Sequence, residues 1–106
     1  MKAKVLIVDD DQDIVTMLQD RLDAGGYKTF TAGDGQRGLE LIEQESPNLV
    51  LLDLYLPRLK GMDVLKRMAQ NKQCEDIPVI VMTAAGTIPD AVEAMRHGAY
   101  DFLTKP

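Results

Sequence analysis

The stretch Val5-Leu6-Ile7-Val8-Asp9-Asp10-Asp11-Gln12-Asp13, read as VLIVDDDQD, sets four branched aliphatics directly against four carboxylates in five residues. The aliphatic run suits a strand covered on both faces of a parallel sheet. Core-building gives no reason to end a buried strand on a knot of negative charge, so the acids call for a chemical explanation.

Outward from this stretch, short β-branched apolar runs alternate with amphipathic helical segments to the end of the chain, the pattern of an α/β domain with a parallel sheet. Strands are predicted at Lys4 to Val8, Lys28 to Thr31, Leu49 to Leu52, Val79 to Met82 and Asp101 to Leu103. The first, third and fourth are apolar throughout, whereas Lys28-Thr29-Phe30-Thr31 alternates and suits an edge. The first helix follows the acids, with Ile14, Met17, Leu18 and Leu22 inward, and stops at Gly25-Gly26, where a left-handed cap is cheap. The second runs from about Gly35 to Glu45 behind Leu39 and Ile42, ended by Ser46-Pro47. The third spans about Met62 to Ala69, with Met62, Leu65, Met68 and Ala69 inward. The fourth spans about Pro89 to His97, with Pro89 in the first turn and Gly98 as the cap. Most of the six methionines are expected as core filler on the inward faces.

A chain of 106 residues makes one domain. A formal net charge of -5 argues against nucleic acid or an anionic membrane as its direct partner, since both are bound through clustered Lys and Arg. The start lacks the apolar core of a signal peptide and no run approaches membrane-spanning length, so a cytoplasmic location is expected. Cys74 has no partner for a disulfide and is expected as a solvent-facing thiol without function.

Right-handed crossovers bring every strand's C-terminal end to one edge of a parallel sheet, where ligands bind. The residues just past those ends are Asp9 and Asp10, Asp53, Thr83 and Lys105; the second strand ends quietly at Ala32. Converging carboxylates repel by about 4 kcal/mol per pair at about 4 Å and an effective dielectric of about 20, so they need a cation. Oxygen donors without His or Cys select a hard divalent ion, and a shallow site completed by water suits Mg²⁺ or Mn²⁺. A carboxylate beside a metal, a hydroxyl and a Lys is also equipment for covalent phosphoryl transfer through an acyl phosphate. Asp53 is the best nucleophile candidate, alone on the central strand facing the acidic pair.

VDDD, the segment LVLLDLYLPRLKG carrying Asp53, Pro57 and Gly61, the TAA of Thr83 to Ala85, and the ending GAYDFLTKP together resemble the receiver domain of two-component response regulators. The resemblance covers essentially the whole chain. It implies a doubly wound five-stranded parallel sheet of order 2-1-3-4-5. It implies a phosphorylation-activated switch, not an enzyme, that takes a phosphoryl group from a histidine kinase's phosphohistidine onto Asp53, its partner being a sensor histidine kinase or a phosphotransfer protein. Asp10 would bind Mg²⁺ directly, Asp9 largely through water, and the Tyr55 carbonyl would add a ligand, with Mn²⁺ able to substitute. Lys105 and Thr83 would contact the phosphoryl oxygens. Phe102 would report the state through its rotamer, changing the surface of the fourth helix and fifth strand. Tyr55 and Ala85 match positions that tune loss of the phosphate, and Lys105-Pro106 is expected to be cis.

Asp11 as the helix N-cap and Asp13 in the first turn need no function beyond favouring the helix dipole. A calcium loop through Asp9, Asp11, Asp13 and Asp20 would put Ile14 where a sharp turn needs Gly. His97 reads as a surface residue near a helix C-terminus, and Arg58 and Lys60 as solvated charges. A Mg²⁺-dependent aspartyl-phosphate phosphatase of haloacid dehalogenase type would need an Asp at position 55, where Tyr55 stands. A receiver-like interaction module that is never phosphorylated is the other alternative, although such modules usually lose an acid or the Lys. A flavin site fails because a phosphate would not choose three carboxylates. Receivers normally add a fifth helix after the Lys-Pro, and this chain stops at Pro106. The single domain is therefore expected to be truncated after its fifth strand, with apolar surface beside strands 1 and 5 left bare, or covered by a second copy or another chain.

Overall fold

The computed structural model describes residues 2–84 and 87–105. Five parallel strands, β1 (Lys4–Val8), β2 (Lys28–Ala32), β3 (Leu49–Leu52), β4 (Val79–Thr83) and β5 (Asp101–Thr104), form one sheet in the order β2-β1-β3-β4-β5. Between them lie α1 (Gln12–Ala24), α2 (Gly35–Glu45), α3 (Gly61–Ala69) and α4 (Ile88–Arg96), with a short 3₁₀ turn at Lys72–Cys74. The expected fold class and strand order hold, with four α-helices among the described residues. The strands appear where the apolar runs predicted them, with β2, β4 and β5 each one residue longer.

Alternation along each strand sends side chains to two separate cores. Leu6, Val8, Val50, Leu52 and Val81 meet Ile42 of α2, Val64, Leu65 and Met68 of α3 and Ala94 of α4. Val5, Ile7 and Leu51 meet α1 through Val15, with Leu18 and Leu22 at the margin. Each fully buried aliphatic side chain contributes roughly 1.5 to 3 kcal/mol, so the central strands β1 and β3 anchor the domain.

Caps end the helices much as the sequence suggested. The Asp11 carboxylate accepts from the amides of Asp13 and Ile14. Asp34 caps α2 through the Arg37 amide, and Thr87 caps α4 through the Asp90 amide. Beyond α1 the left-handed residue is Gly26, at φ 88°, and Gly98 serves α4 at φ 96°.

Several burial assignments need correction. In α1 the buried residue is Val15, and Ile14 and Met17 sit half-exposed, because the stripe facing the sheet is turned by about one residue. In α3 Val64 is buried and Ala69 is exposed for the same reason. Met95 of α4 is 48% exposed, so methionine as core filler fails there. Cys74 is buried, not solvent-facing: the 3₁₀ turn after α3 folds its side chain into the first core. That burial, reinforced by Glu43, pushes the thiol above its ordinary range and leaves it a poor nucleophile.

The bare surface agrees with the expectation at β5 and departs from it at β1. Val5 and Ile7 of β1 are covered by α1, and the partly exposed apolar strip runs over Leu49, Ile80, Met82 and Leu103, from β3 to β5. Helix α1 packs chiefly on the β2 side, and Leu49, Ile80 and Met82 lie at the margin of the core it forms. Among the described residues, no helix is long and apolar enough to cross a membrane.

Candidate functional site

The ladder of the sheet runs one residue past the strands and so positions the polar groups. The Asp9 amide donates to the Ala32 carbonyl at 3.0 Å, the Asp53 amide to the Val8 carbonyl at 2.9 Å, and the Lys105 amide to the Thr83 carbonyl at 3.1 Å. Asp9, Asp53, Thr83 and Lys105 are thereby fixed at the C-terminal edge before any side chain interacts. The turn into α1 adds a clamp, the Asp11 amide donating to Asp9 Oδ1 at 3.0 Å.

The loop after Asp53 is held by contact with backbone. A methyl group on Gly61 would lie 2.1 Å from the Asp53 carbonyl oxygen, so only glycine lets α3 start that close. Gly35 at the start of α2 meets the Leu59 carbonyl in the same manner. Between them the chain turns over three residues: the Leu59 amide donates to the Pro57 carbonyl at 2.8 Å, with Arg58 at φ 66°. Arg58 is exposed and reaches only to 3.9 Å from Asp34, in keeping with a solvated charge.

Oxygens of Asp9, Asp10 and Asp53 lie within 4.8 Å of one another. Asp9 and Asp53 are 2% and 6% exposed, and Asp10 stands open at the mouth. Lys105 Nζ sits between the buried pair, 2.6 Å from Asp9 Oδ2 and 3.1 Å from Asp53 Oδ2. The contact with Asp53 is a hydrogen bond, and the closer one to Asp9 is a buried ion pair. Burial alone would push the Lys105 ammonium down, but its two carboxylate partners outweigh that and hold it above its ordinary value. Three negative charges against one positive leave room for a further cation.

The Tyr55 amide donates to Asp53 Oδ1 at 3.3 Å. Its side chain turns outward, and the hydroxyl donates to Asp90 Oδ2 of α4 at 2.6 Å. That bond holds the phenol above its usual range and Asp90 below the usual carboxylate range. Sequence reasoning missed Asp90. Its only local signal is Thr87 three residues earlier, which announces a helix start and nothing about a partner 35 positions away.

Thr83, the last residue of β4, is 1% exposed at the same edge, and among the described residues no hydrogen bond joins it to Asp53. Phe102 pairs in register with Val81 and is half-buried against the first core. His97 caps the end of α4, half-exposed and 4.0 Å from Glu93. Ala85 and Pro106, and with Pro106 the expected cis bond, lie outside the described residues. The calcium loop is overturned, since Asp13 and Asp20 lie along α1 and Asp11 is spent on its cap.

Residues 5–106 match the family model of the response regulator receiver domain. The chain belongs to that family. A curated relative, the alkaline phosphatase synthesis transcriptional regulatory protein PhoP of Bacillus subtilis, is 42% identical over 106 residues, which cover all of this chain and 43% of that protein. The chain thus spans less than half the length of such relatives. A response regulator receiver domain protein (CheY-like) of Methanospirillum hungatei superposes with a TM-score of 0.93 at 29% identity, covering all of this chain and 83% of that one. A response regulator protein of Burkholderia pseudomallei, solved with a phosphorylated aspartic acid, calcium ion and citrate, gives 0.91 at 26% identity over 99% of this chain and 61% of that one.

Proposed function

We propose that this receiver domain is a phosphorylation-activated switch with Asp53 as the phosphoacceptor. The observation that carries the reading is the triad of Asp9, Asp10 and Asp53 carboxylates converging on one point, with Lys105 bound to the Asp53 oxygen that stands beside Asp9. An Asp53 carboxylate oxygen attacks the phosphorus of a histidine kinase's or phosphotransfer protein's phosphohistidine. The P–N bond breaks, its electron pair leaves with the imidazole, and an acyl phosphate forms. Lys105 and the Thr83 hydroxyl take the charge on the phosphoryl oxygens; such preorganised donors contribute about 3 to 4 kcal/mol each when removed singly. The chain assists its own modification and slow hydrolysis without turning over a free substrate.

The donor set fits a hard divalent ion: all ligands are oxygen, and three carboxylates face a single ammonium. Asp9, Asp10, Asp53 and the Tyr55 carbonyl would hold Mg²⁺ or Mn²⁺. When bound, the ion supplies positive charge for the equatorial oxygens in flight.

On phosphorylation, Thr83 is drawn toward the new dianion and Phe102 moves into the space behind it, remodelling the face of α4 and β5. Moving two states from 1:99 to 99:1 takes about 5.5 kcal/mol of differential interaction, within reach of a few charge-assisted hydrogen bonds. The site belongs in the cytoplasm with its kinase. With a net charge of -5, this segment itself offers nucleic acid little, and any contact of that kind falls to another domain. A second copy or another segment covers the strip of Leu49, Ile80, Met82 and Leu103.

Intact mass after incubation with acetyl phosphate, with Mg²⁺ or chelator, tests the reading on this chain and on Asp53→Asn. The expected result is a Mg²⁺-dependent, hydroxylamine-labile phosphoryl adduct that Asp53→Asn lacks. A folded chain that binds Mg²⁺ and takes no adduct would instead be an interaction module that keeps a receiver's residues.

A further inference from the structure

Helix α4 is seated by little apolar surface. Ala94 is its buried residue, while Ile88, Val92 and Met95 are 81%, 48% and 48% exposed. An element with so few buried contacts is drawn from the low-stability end of a fold and depends on its polar ties. One tie is the Glu93 to Lys66 ion pair, 3.8 Å long and exposed at both ends, which contributes little. The other is the hydrogen bond from the Tyr55 hydroxyl to Asp90, also exposed but short and charge-assisted. Among the described residues, it is the one side-chain hydrogen bond from α4 to another element.

Both ends of this bond are anchored. Asp90 lies in the first turn, its amide bound to the Thr87 hydroxyl at 3.2 Å. Tyr55 reaches Asp53 through its amide at 3.3 Å while its phenol reaches α4. One residue therefore touches the proposed phosphoacceptor with its backbone and the lightly seated helix with its side chain.

We propose that the Tyr55–Asp90 hydrogen bond is a latch that holds the first turn of α4 in its resting seat and ties release of that turn to the state of Asp53. The tie rests on Asp53 being the phosphoacceptor. Phosphorylating one Asp53 oxygen brings three phosphoryl oxygens within reach of the Tyr55 amide; the backbone at Tyr55 shifts toward them, and the phenol is drawn off Asp90. This route runs over the surface of the β3–α3 loop and bypasses Thr83 and Phe102.

The test is amide hydrogen exchange at Ala91 and Val92 and in β1 and β3, on wild type, Tyr55→Phe, Asp90→Asn and the double variant, before and after acetyl phosphate with Mg²⁺. Before phosphorylation, Tyr55→Phe should exchange the α4 amides about 3- to 5-fold faster, with β1 and β3 unmoved. The double variant should be no faster than Tyr55→Phe, and phosphorylated wild type should rise to the variant's rate. Unchanged α4 exchange in Tyr55→Phe, or single effects that add in the double variant, would overturn the latch. A wild type that takes no phosphoryl group would overturn the tie to Asp53 together with the proposed function, while the comparison before phosphorylation would still decide whether the bond holds α4.

Discussion

Replacing Lys105 with Met should destabilise the domain strongly in the absence of divalent ions and much less in their presence. At an effective dielectric of about 20, unit charges at the observed 2.6 and 3.1 Å attract by about 6 and 5 kcal/mol. Desolvating the ammonium, whose side chain is 8% exposed, offsets a large part of that attraction. What remains on truncation is the cost of two buried, unpaired carboxylates, about 3 to 5 kcal/mol when one partner of such a pair is removed. Asp10 opens the site to water, which favours the lower end, about 3 kcal/mol. With a urea m-value of about 1.5 kcal/mol per molar, the midpoint should fall by about 2 M in chelator at neutral pH.

The same bookkeeping fixes the effect of metal. Wild type holds three carboxylates against one ammonium, and Lys105→Met removes the competing charge. The variant should bind Mg²⁺ more tightly, and at a concentration 100 times its Kd it should regain about 2.7 kcal/mol, most of the loss. Lys105 is held above the ordinary value of 10.5, so its contribution is fully present below that pH and is lost as pH rises through the raised value. The urea midpoints of wild type and variant should thus stay apart through neutral pH and converge only in strong alkali. Equal midpoints in chelator, or a Mg²⁺ shift no larger in the variant than in wild type, would refute the account of Lys105 as the resident counter-ion of this site.

Gly61→Ala should cost about 3 kcal/mol or more and slow phosphorylation of Asp53, because the added methyl meets the Asp53 carbonyl at 2.1 Å; a urea melt and an acetyl phosphate time course check both effects. Arg58→Gly should raise stability by up to about 1 kcal/mol, since φ 66° is strained for Arg and its Asp34 contact is long and exposed; a midpoint at or below that of wild type would contradict this. Cys74 should resist a thiol reagent in the folded protein and react on unfolding in urea, because its side chain is buried and its thiol pushed up.

The strands and the acidic edge were legible because they depend on local signals. A branched aliphatic run such as Val5 to Val8 reads as a strand wherever it is put, and parallel topology then carries Asp9, Asp53, Thr83 and Lys105 to one edge without further information. Helix faces were less legible. Val15 and Val64 were missed because a stripe drawn from the largest apolar residues tolerates a rotation of one position, and only contact with the sheet fixes that rotation. Cys74 was misjudged because its neighbours Lys72, Gln73, Glu75 and Asp76 are polar, while a 3₁₀ turn lets one residue of such a stretch face inward. The bond between Tyr55 and Asp90 has no sequence signature, since it joins two loop-proximal residues that only the finished sheet brings together.

Helix α4 is the element that the proposed switch has to move. It carries Ile88, Val92 and Met95 at helical spacing, yet all three are exposed and the chain seats the helix on Ala94. Had those three side chains been buried, each would add roughly 1.5 to 3 kcal/mol to the resting position. The resulting gap would approach or exceed the approximately 5.5 kcal/mol that a thorough change of population demands. A loosely seated helix keeps the difference between its positions small enough for one phosphoryl group to decide. It also leaves an apolar surface that a partner can read once the helix moves. Substituting Ala94 with a larger residue is not equivalent, because it would press α4 off the sheet in both states; the economy lies in having a single small anchor and placing the remaining hold in polar contacts that charge can break.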